Sequence, residues 1–312
     1  MSAKIADVAY FLPKSHNLKN LLQPNHFKKI YTSTGIKKIH IASKKQSALD
    51  LAKKAANAVL KKNRSKIDAI IYVTQSPEYF LPSSACILQD QLGISKSALA
   101  FDLNQGCSGY IYGLCLASSL IKTNVAKNVL LICSDTYSKY ISKKNSTCLP
   151  IFSDGASATI LKKSNSIFFL DFKFGTDGSG YKDLIVENSG FHANSTKPEL
   201  FMNGKKILMF TMANIPTLIN SLLKKNNLKK NEIDLFIFHQ ASKVVINNLI
   251  RKMKLDKNKV YFNIKNIGNT VSSTIPISIS DLLQNKKIKK NTKILLAGFG
   301  VGLSMGATII NW

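Results

Sequence analysis

The chain has 312 residues, with 44 Lys and Arg against 17 Asp and Glu, for a formal net charge of +27. Its 45% hydrophobic and 20% charged content is globular and excludes disorder as the main state. No window approaches the roughly 18 uninterrupted apolar residues of a membrane span, and MSAKIADVAY lacks a charged stretch leading into an apolar one, so a cytoplasmic protein is expected.

In chain order, LKKN (60–63) reads as the end of an amphipathic helix. After a polar turn comes KIDAIIYVTQS (66–76), whose β-branched and aromatic run suits a buried strand. AFDLNQGCSG (100–109) predicts a strand passing through Gly106 into a helix, and KNVLLICSD (127–135) and ASATIL (156–161) predict further strands. The series then recurs as LKKN (223–226), EIDLFIFHQAS (232–242), YFNIKNIGNT (261–270), TKILLAGFG (292–300) and GATII (306–310). The first three strand-like pairs lie about 165 residues apart, and the last lies closer because the first half carries extra residues around 137–150. Short loops between strands and helices are the mark of helix-covered parallel sheets. Two related α/β halves, roughly 1–165 and 166–312, are therefore expected to share one core.

All cations but Arg64 and Arg251 are lysines, many in pairs: Lys37–Lys38, Lys44–Lys45, Lys53–Lys54, Lys61–Lys62, Lys224–Lys225 and Lys289–Lys290. Lysine is a solvated point charge, whereas nucleic-acid readout favours the flat fork of arginine. The pairs are expected mostly at helix ends and turns, with no nucleic-acid partner, although a basic surface steers acidic partners. The five cysteines (Cys86, Cys107, Cys115, Cys133, Cys148) include no CxxC pair, so no zinc site is expected. Four of them are expected to pack as small hydrophobes.

A duplicated scaffold places its site where the halves meet, so residues that break the repeat at strand ends are the candidates. These are Cys107 at a helix start, His239 after FIF (236–238) and Asn269 after Gly268. Free N–H groups at a helix start would lower the pKa of Cys107 and make it nucleophilic. The alternative is a small apolar residue packed at the helix start. His239 could shuttle a proton or donate to an oxyanion, or be only a satisfied polar group. Asn269 reads as an N-cap, or as a donor to a substrate carbonyl. The glycines of GFGVG (298–302) serve tight strand–helix packing, or present Val301 N–H to an oxyanion.

These residues lie in motifs that resemble a known family, the thiolase-fold condensing enzymes and specifically β-ketoacyl-acyl carrier protein synthase III. The resemblance spans essentially the whole chain, through STGIKKIHIA (33–42), LPSSACILQDQLGI (81–94), AFDLNQGCSGYIYGL (100–114), FSDGASATIL (152–161), FHQAS (238–242), IGNTVSSTIP (267–276) and GFGVGLSMGA (298–307). It implies a five-layered αβαβα fold, a homodimer and an acyl carrier protein partner. It also implies acyl-coenzyme A or acyl-acyl carrier protein substrates, with no tightly bound cofactor and no metal. Cys107 would accept an acyl group from a thioester. His239 and Asn269 would stabilise the enolate formed as malonyl-acyl carrier protein loses carbon dioxide, and the N–H groups of Cys107 and Val301 would form the oxyanion hole. Leu81 falls at a dimer-contact position that shapes the partner's acyl pocket. Leu81, Phe80, Met202, Met209 and Phe210 are candidate acyl-tunnel residues, with plain core packing the alternative. Where relatives sandwich adenine between Trp and Arg, this chain has Lys29 and Ser33. Where an Arg docks the carrier protein, it has Val244 beside Lys243. Transfer of the acyl group to a hydroxyl or amine is the alternative reaction.

Overall fold

A computed structural model describes residues 2–63 and 66–312; Arg64 lies outside them. The chain runs through β1 (Ser2–Phe11), β2 (Lys14–Asn17), α1 (Pro24–Thr34), β3 (Lys38–Ile41), α2 (Ala48–Leu60), β4 (Ala69–Val73), α3 (Ser84–Gln91), β5 (Leu99–Leu103), α4 (Gly109–Lys122), β6 (Asn128–Asp135) and β7 (Gly155–Ser164). It continues through β8 (Phe169–Thr176), β9 (Leu184–Glu187), β10 (Glu199–Met202), α5 (Gly204–Lys225), β11 (Leu235–Phe238), α6 (Lys243–Met253), α7 (Thr274–Gln284), β12 (Lys293–Gly300) and β13 (Ser304–Asn311).

Two sheets organise these elements. The first has the order β1-β7-β6-β4-β5, with β4 parallel to β5 and β6, and β7 antiparallel to β1 and β6. The second has the order β11-β12-β13-β8, parallel only between β11 and β12. Strands buried on both faces need apolar residues at successive positions, which is why AIIYV of β4 is buried throughout. One face of each sheet meets the central helices: Ile71, Val73 and Leu131 from the first and Ile237, Ile294 and Leu296 from the second pack with Tyr110, Leu114, Ile275 and Ile279 of α4 and α7. The other face of the first sheet is covered by α2 and α3, and that of the second by α5 and α6. Five layers, αβαβα, result.

Local chemistry sets the helix ends. Ser47 and Asp50 form a capping box that starts α2, whose small residues Ala48, Ala52, Ala55 and Ala56 let it lie close on the sheet. Both carboxylate oxygens of Asp102 in β5 accept N–H groups at the start of α3, from Ser84 and Ala85. Helix α5 is long and apolar enough to cross a membrane by length and composition. Its residues Ile215, Ile219 and Leu222, however, pack on the second sheet.

One expectation needs correction, and one lysine pair is an exception to the general placement at helix ends and turns. Residues 261–267 form no strand; the counterpart of β5 is reduced to an isolated parallel bridge between Phe236 and Val260, and a 3₁₀ turn follows at Ile264–Asn266. Polar Asn263, Lys265 and Asn266 interrupt the apolar run that a full strand would bury. Lys53–Lys54 sits inside α2 rather than at an end, where the Lys54 ammonium lies 4.5 Å from the Phe11 ring centroid.

Candidate active site

Cys107 lies between the end of β5 and the first turn of α4, in a loop that rests on the glycines of β12. A Cβ on Gly298 would stand 2.7 Å from the Cys107 carbonyl oxygen and 2.8 Å from Ser108 Cα. One on Gly300 would stand 2.8 Å from Cys107 Sγ. Packing and site-building are thus one function of the GFGVG stretch. Beyond it, Ser304 Oγ donates to the Val301 carbonyl at 2.7 Å and lies 2.7 Å from Ser108 Oγ, which ties residues 301–304 to the helix start.

The Cys107 thiol is not lowered by its place at the helix start. Burial pushes it up to about 12, and the nearby Asp135 carboxyl adds to the rise, while the N–H groups of Val301 and Cys107 pull it back. Desolvation outweighs the helix end because Cys107 is buried. The same two N–H groups are those expected to serve an acyl oxygen.

His239 follows β11 directly, and its N–H bonds to the Ala297 carbonyl of β12 at 2.8 Å. The imidazole is 1% exposed and meets the Phe299 ring edge-on at 5.8 Å between centroids. Its Nδ1 lies 2.7 Å from Thr274 Oγ1 at the start of α7. Burial lowers its pKa to about 3, so the ring is neutral across the physiological range.

Asn269 is held by backbone bonds to residues 151–153: its N–H donates to Ile151 O at 3.0 Å, and its carbonyl accepts Ser153 N–H at 2.8 Å. Gly268, at φ +77°, makes this approach possible, since a Cβ there would meet the Ser153 side chain. The Asn269 side chain closes a turn through Oδ1, which accepts Val271 N–H at 2.9 Å. That contact is an Asx turn and not the N-cap expected from the sequence, because Thr270 and Ser273 hold the cap positions of the 3₁₀ turn and of α7 that follow; Nδ2 has no partner among the described residues. Asp154 of the FSDG motif is structural: its carboxylate accepts from Ala42 N–H and from the backbone and hydroxyl of Ser138.

Cys107, His239 and Asn269 line one cavity of about 130 Å³, walled by Phe152, Met202, Ile207 and Val245. Among its described lining residues, Cys107 and His239 are the only titratable ones. The nucleophile therefore comes from the first sheet's side, and the imidazole and amide from the second. No described cluster of three or more His, Cys, Asp or Glu residues could hold a metal.

The expected acyl-tunnel residues fare unevenly. Met202 lines the cavity. Phe210 is buried but is not in the cavity wall, because α5 presents Gly204, Ile207, Leu208 and Thr211 there and Phe210 lies about 100° around the helix from Thr211. Met209 is exposed, and Phe80 and Leu81 are 88% and 83% exposed, away from this cavity. Lys243 is exposed on the first turn of α6, one residue past the cavity-lining Ser242. The expectation that four cysteines are core residues fails at Cys86, which is exposed on α3 and within 3.2 Å of Ser83 Oγ. Cys133 and Cys148 are buried, and Cys115 is partly so.

The comparisons with known proteins agree with this geometry. Residues 101–178 match the family described as 3-oxoacyl-[acyl-carrier-protein (ACP)] synthase III, and residues 223–312 match its C-terminal part. The β-ketoacyl-[acyl-carrier-protein] synthase III of Clostridium tetani is 35% identical, over 99% of this chain and 98% of its own length. A crystal structure of a 3-oxoacyl-(acyl-carrier-protein) synthase III superposes with a TM-score of 0.96 at 36% identity, covering the whole of both chains. The 3-oxoacyl-(acyl-carrier protein) synthase of Burkholderia xenovorans gives 0.94 at 33% identity, covering 100% of this chain and 94% of its own. The chain belongs to the β-ketoacyl-[acyl-carrier-protein] synthase III family, with its thiolase fold.

Proposed function

We propose that the protein is a condensing transferase of fatty acid synthesis that loads an acyl group on Cys107 and extends it by two carbons from malonyl-acyl carrier protein. The convergence of Cys107, His239 and Asn269 on one apolar cavity carries this reading. In the first half-reaction Sγ attacks the thioester carbonyl of acyl-coenzyme A or an acyl-acyl carrier protein. The N–H groups of Cys107 and Val301 hold the oxyanion, a contact worth about 3–4 kcal/mol when one donor is lost. The departing thiolate leaves with the cysteine's proton, so no net charge stays buried.

In the second half-reaction the malonyl carboxylate leaves as carbon dioxide, and the electron pair moves into the thioester as an enolate. Asn269 Nδ2 and His239 Nε2 donate to its oxygen; with the Thr274 hydroxyl turned to Nδ1, the neutral ring carries its proton on Nε2. The enolate carbon attacks the acyl-cysteine, the C–S bond breaks, and Cys107 regains a proton from solvent. The cavity-lining Asn269 favours this condensation over transfer to a hydroxyl or amine acceptor.

Exposed Lys243, one residue past the cavity-lining Ser242, suits an acidic carrier protein. The exposed apolar run Tyr79, Phe80 and Leu81 suits a homodimer contact. The test is intact-mass measurement after incubation with a panel of acyl thioesters, followed by carbon dioxide release from malonyl-acyl carrier protein. An acyl adduct that disappears in Cys107→Ser, with carbon dioxide released only by the parent, is expected. Failure of every donor to acylate the parent would refute the reading.

A further inference from the structure

The turn after Asn269 is under strain and is held by its own side chains. Val271 is β-branched and fully buried, yet sits at φ +54°, in the left-handed region such residues avoid. The next three residues each send a hydroxyl to a different place. Ser272 Oγ donates to Asp135 Oδ2 at the end of β6, at 2.9 Å. Ser273 Oγ donates to the Cys133 carbonyl, also at 2.9 Å. Thr274 Oγ1 lies 2.7 Å from His239 Nδ1 and 3.2 Å from the Val271 carbonyl oxygen.

Asp135 is fully buried and makes no ion pair among the described residues. Its Oδ1 accepts the N–H of Gln75, just past β4, at 2.8 Å. One carboxyl thus joins the neighbouring strands β6 and β4 of the first sheet to the turn that carries Asn269 and touches His239. The donors expected to assist loading of Cys107 lie elsewhere, on the nucleophile loop and at the end of β12.

We infer that Ser272, acting through Asp135, is a positioning residue for the condensation step: it fixes the turn that aims Asn269 and His239 at the second substrate, and it is not one of the donors that hold the acyl oxygen in loading. The inference rests on the condensation reading above. A displacement of about 1 Å in such donors costs up to about 100-fold in rate. Ser272→Ala therefore should slow carbon dioxide release from malonyl-acyl carrier protein by about 10- to 100-fold in kcat, with KM unchanged and the rate of Cys107 acylation lowered far less. Asp135→Asn keeps the shape but replaces one acceptor with a donor. Adding Ser272→Ala to it should cost less than Ser272→Ala costs in the parent, because the two act through one contact.

A parent that releases no carbon dioxide sinks the condensation reading and this inference with it. With an active parent, equal losses in loading and decarboxylation, no loss in either, or fully additive effects of the two substitutions overturn the inference alone.

Discussion

Gly298→Ala is the sharpest perturbation the structure offers, because it adds one methyl group against backbone rather than against a yielding side chain. The new Cβ would stand 2.7 Å from the Cys107 carbonyl oxygen and 2.8 Å from Ser108 Cα, whereas ordinary contact begins at 3.4 Å. The gap must open by about 0.7 Å, and the rigid β12 beneath it, paired on both edges with β11 and β13, cannot supply that movement. The nucleophile loop must rise instead. Overpacking of this kind costs about 1–3 kcal/mol, which in a chain of this size lowers Tm by about 2–10 °C. The displaced sulfur should lose about 100-fold in its acylation rate. The control is Gly178→Ala, where an added Cβ meets nothing within 4 Å and φ is not left-handed. Stopped-flow or quenched intact-mass measurement of acyl-Cys107, with thermal unfolding of the same samples, reads both effects. A Gly298→Ala protein with the parent's acylation rate and Tm would refute the account of why GFGVG is glycine-rich.

Two further predictions concern titration and accessibility. His239, held at about 3 against about 6.5 when unfolded, binds fewer protons in the native state, so it erodes stability as pH falls from about 6.5 towards 3, by up to about 1.4 kcal/mol per pH unit. Asp135, raised by burial from 3.8 to about 7, has the opposite sign and erodes stability as pH rises from about 4 to about 7. In urea melts, His239→Gln should therefore gain on the parent steadily as pH falls from 6.5 to about 4.5; a difference independent of pH would contradict the buried neutral imidazole. Exposed Cys86 should react with a neutral alkylating agent well before Cys133 and Cys148, whose thiols burial pushes up; peptide mapping that finds Cys133 first would show that the core opens locally.

Much of the architecture was legible in the sequence because buried strands need continuous apolar runs. AIIYV and LFIF announce themselves, and their recurrence at one spacing implies two sheets of like construction. The three candidate groups were legible because they interrupt that recurrence at strand ends. What supports them was not. Ser272, Ser273 and Thr274 are small polar residues in a motif, and nothing local tells that one reaches a carboxyl 137 residues away. The ionisation of Cys107 is hidden for a related reason: a helix start is visible in sequence, whereas burial against β12 is a tertiary fact. Phe210 failed through phase, since an apolar residue one position from Thr211 faces a different neighbour on a helix. The segment 261–267 failed as a strand because two halves of common construction need not keep every edge.

The central layer sets how this molecule comes apart. Helices α4 and α7 are sandwiched between sheets, and their apolar side chains face both, as when Tyr110 and Ile275 share one cluster with Val73 and Leu296. Detaching one half would strip cover from the helix the other half keeps and open both sheets to water at once. The two sheets share one apolar layer and are expected to lose order together, as a single cooperative unit.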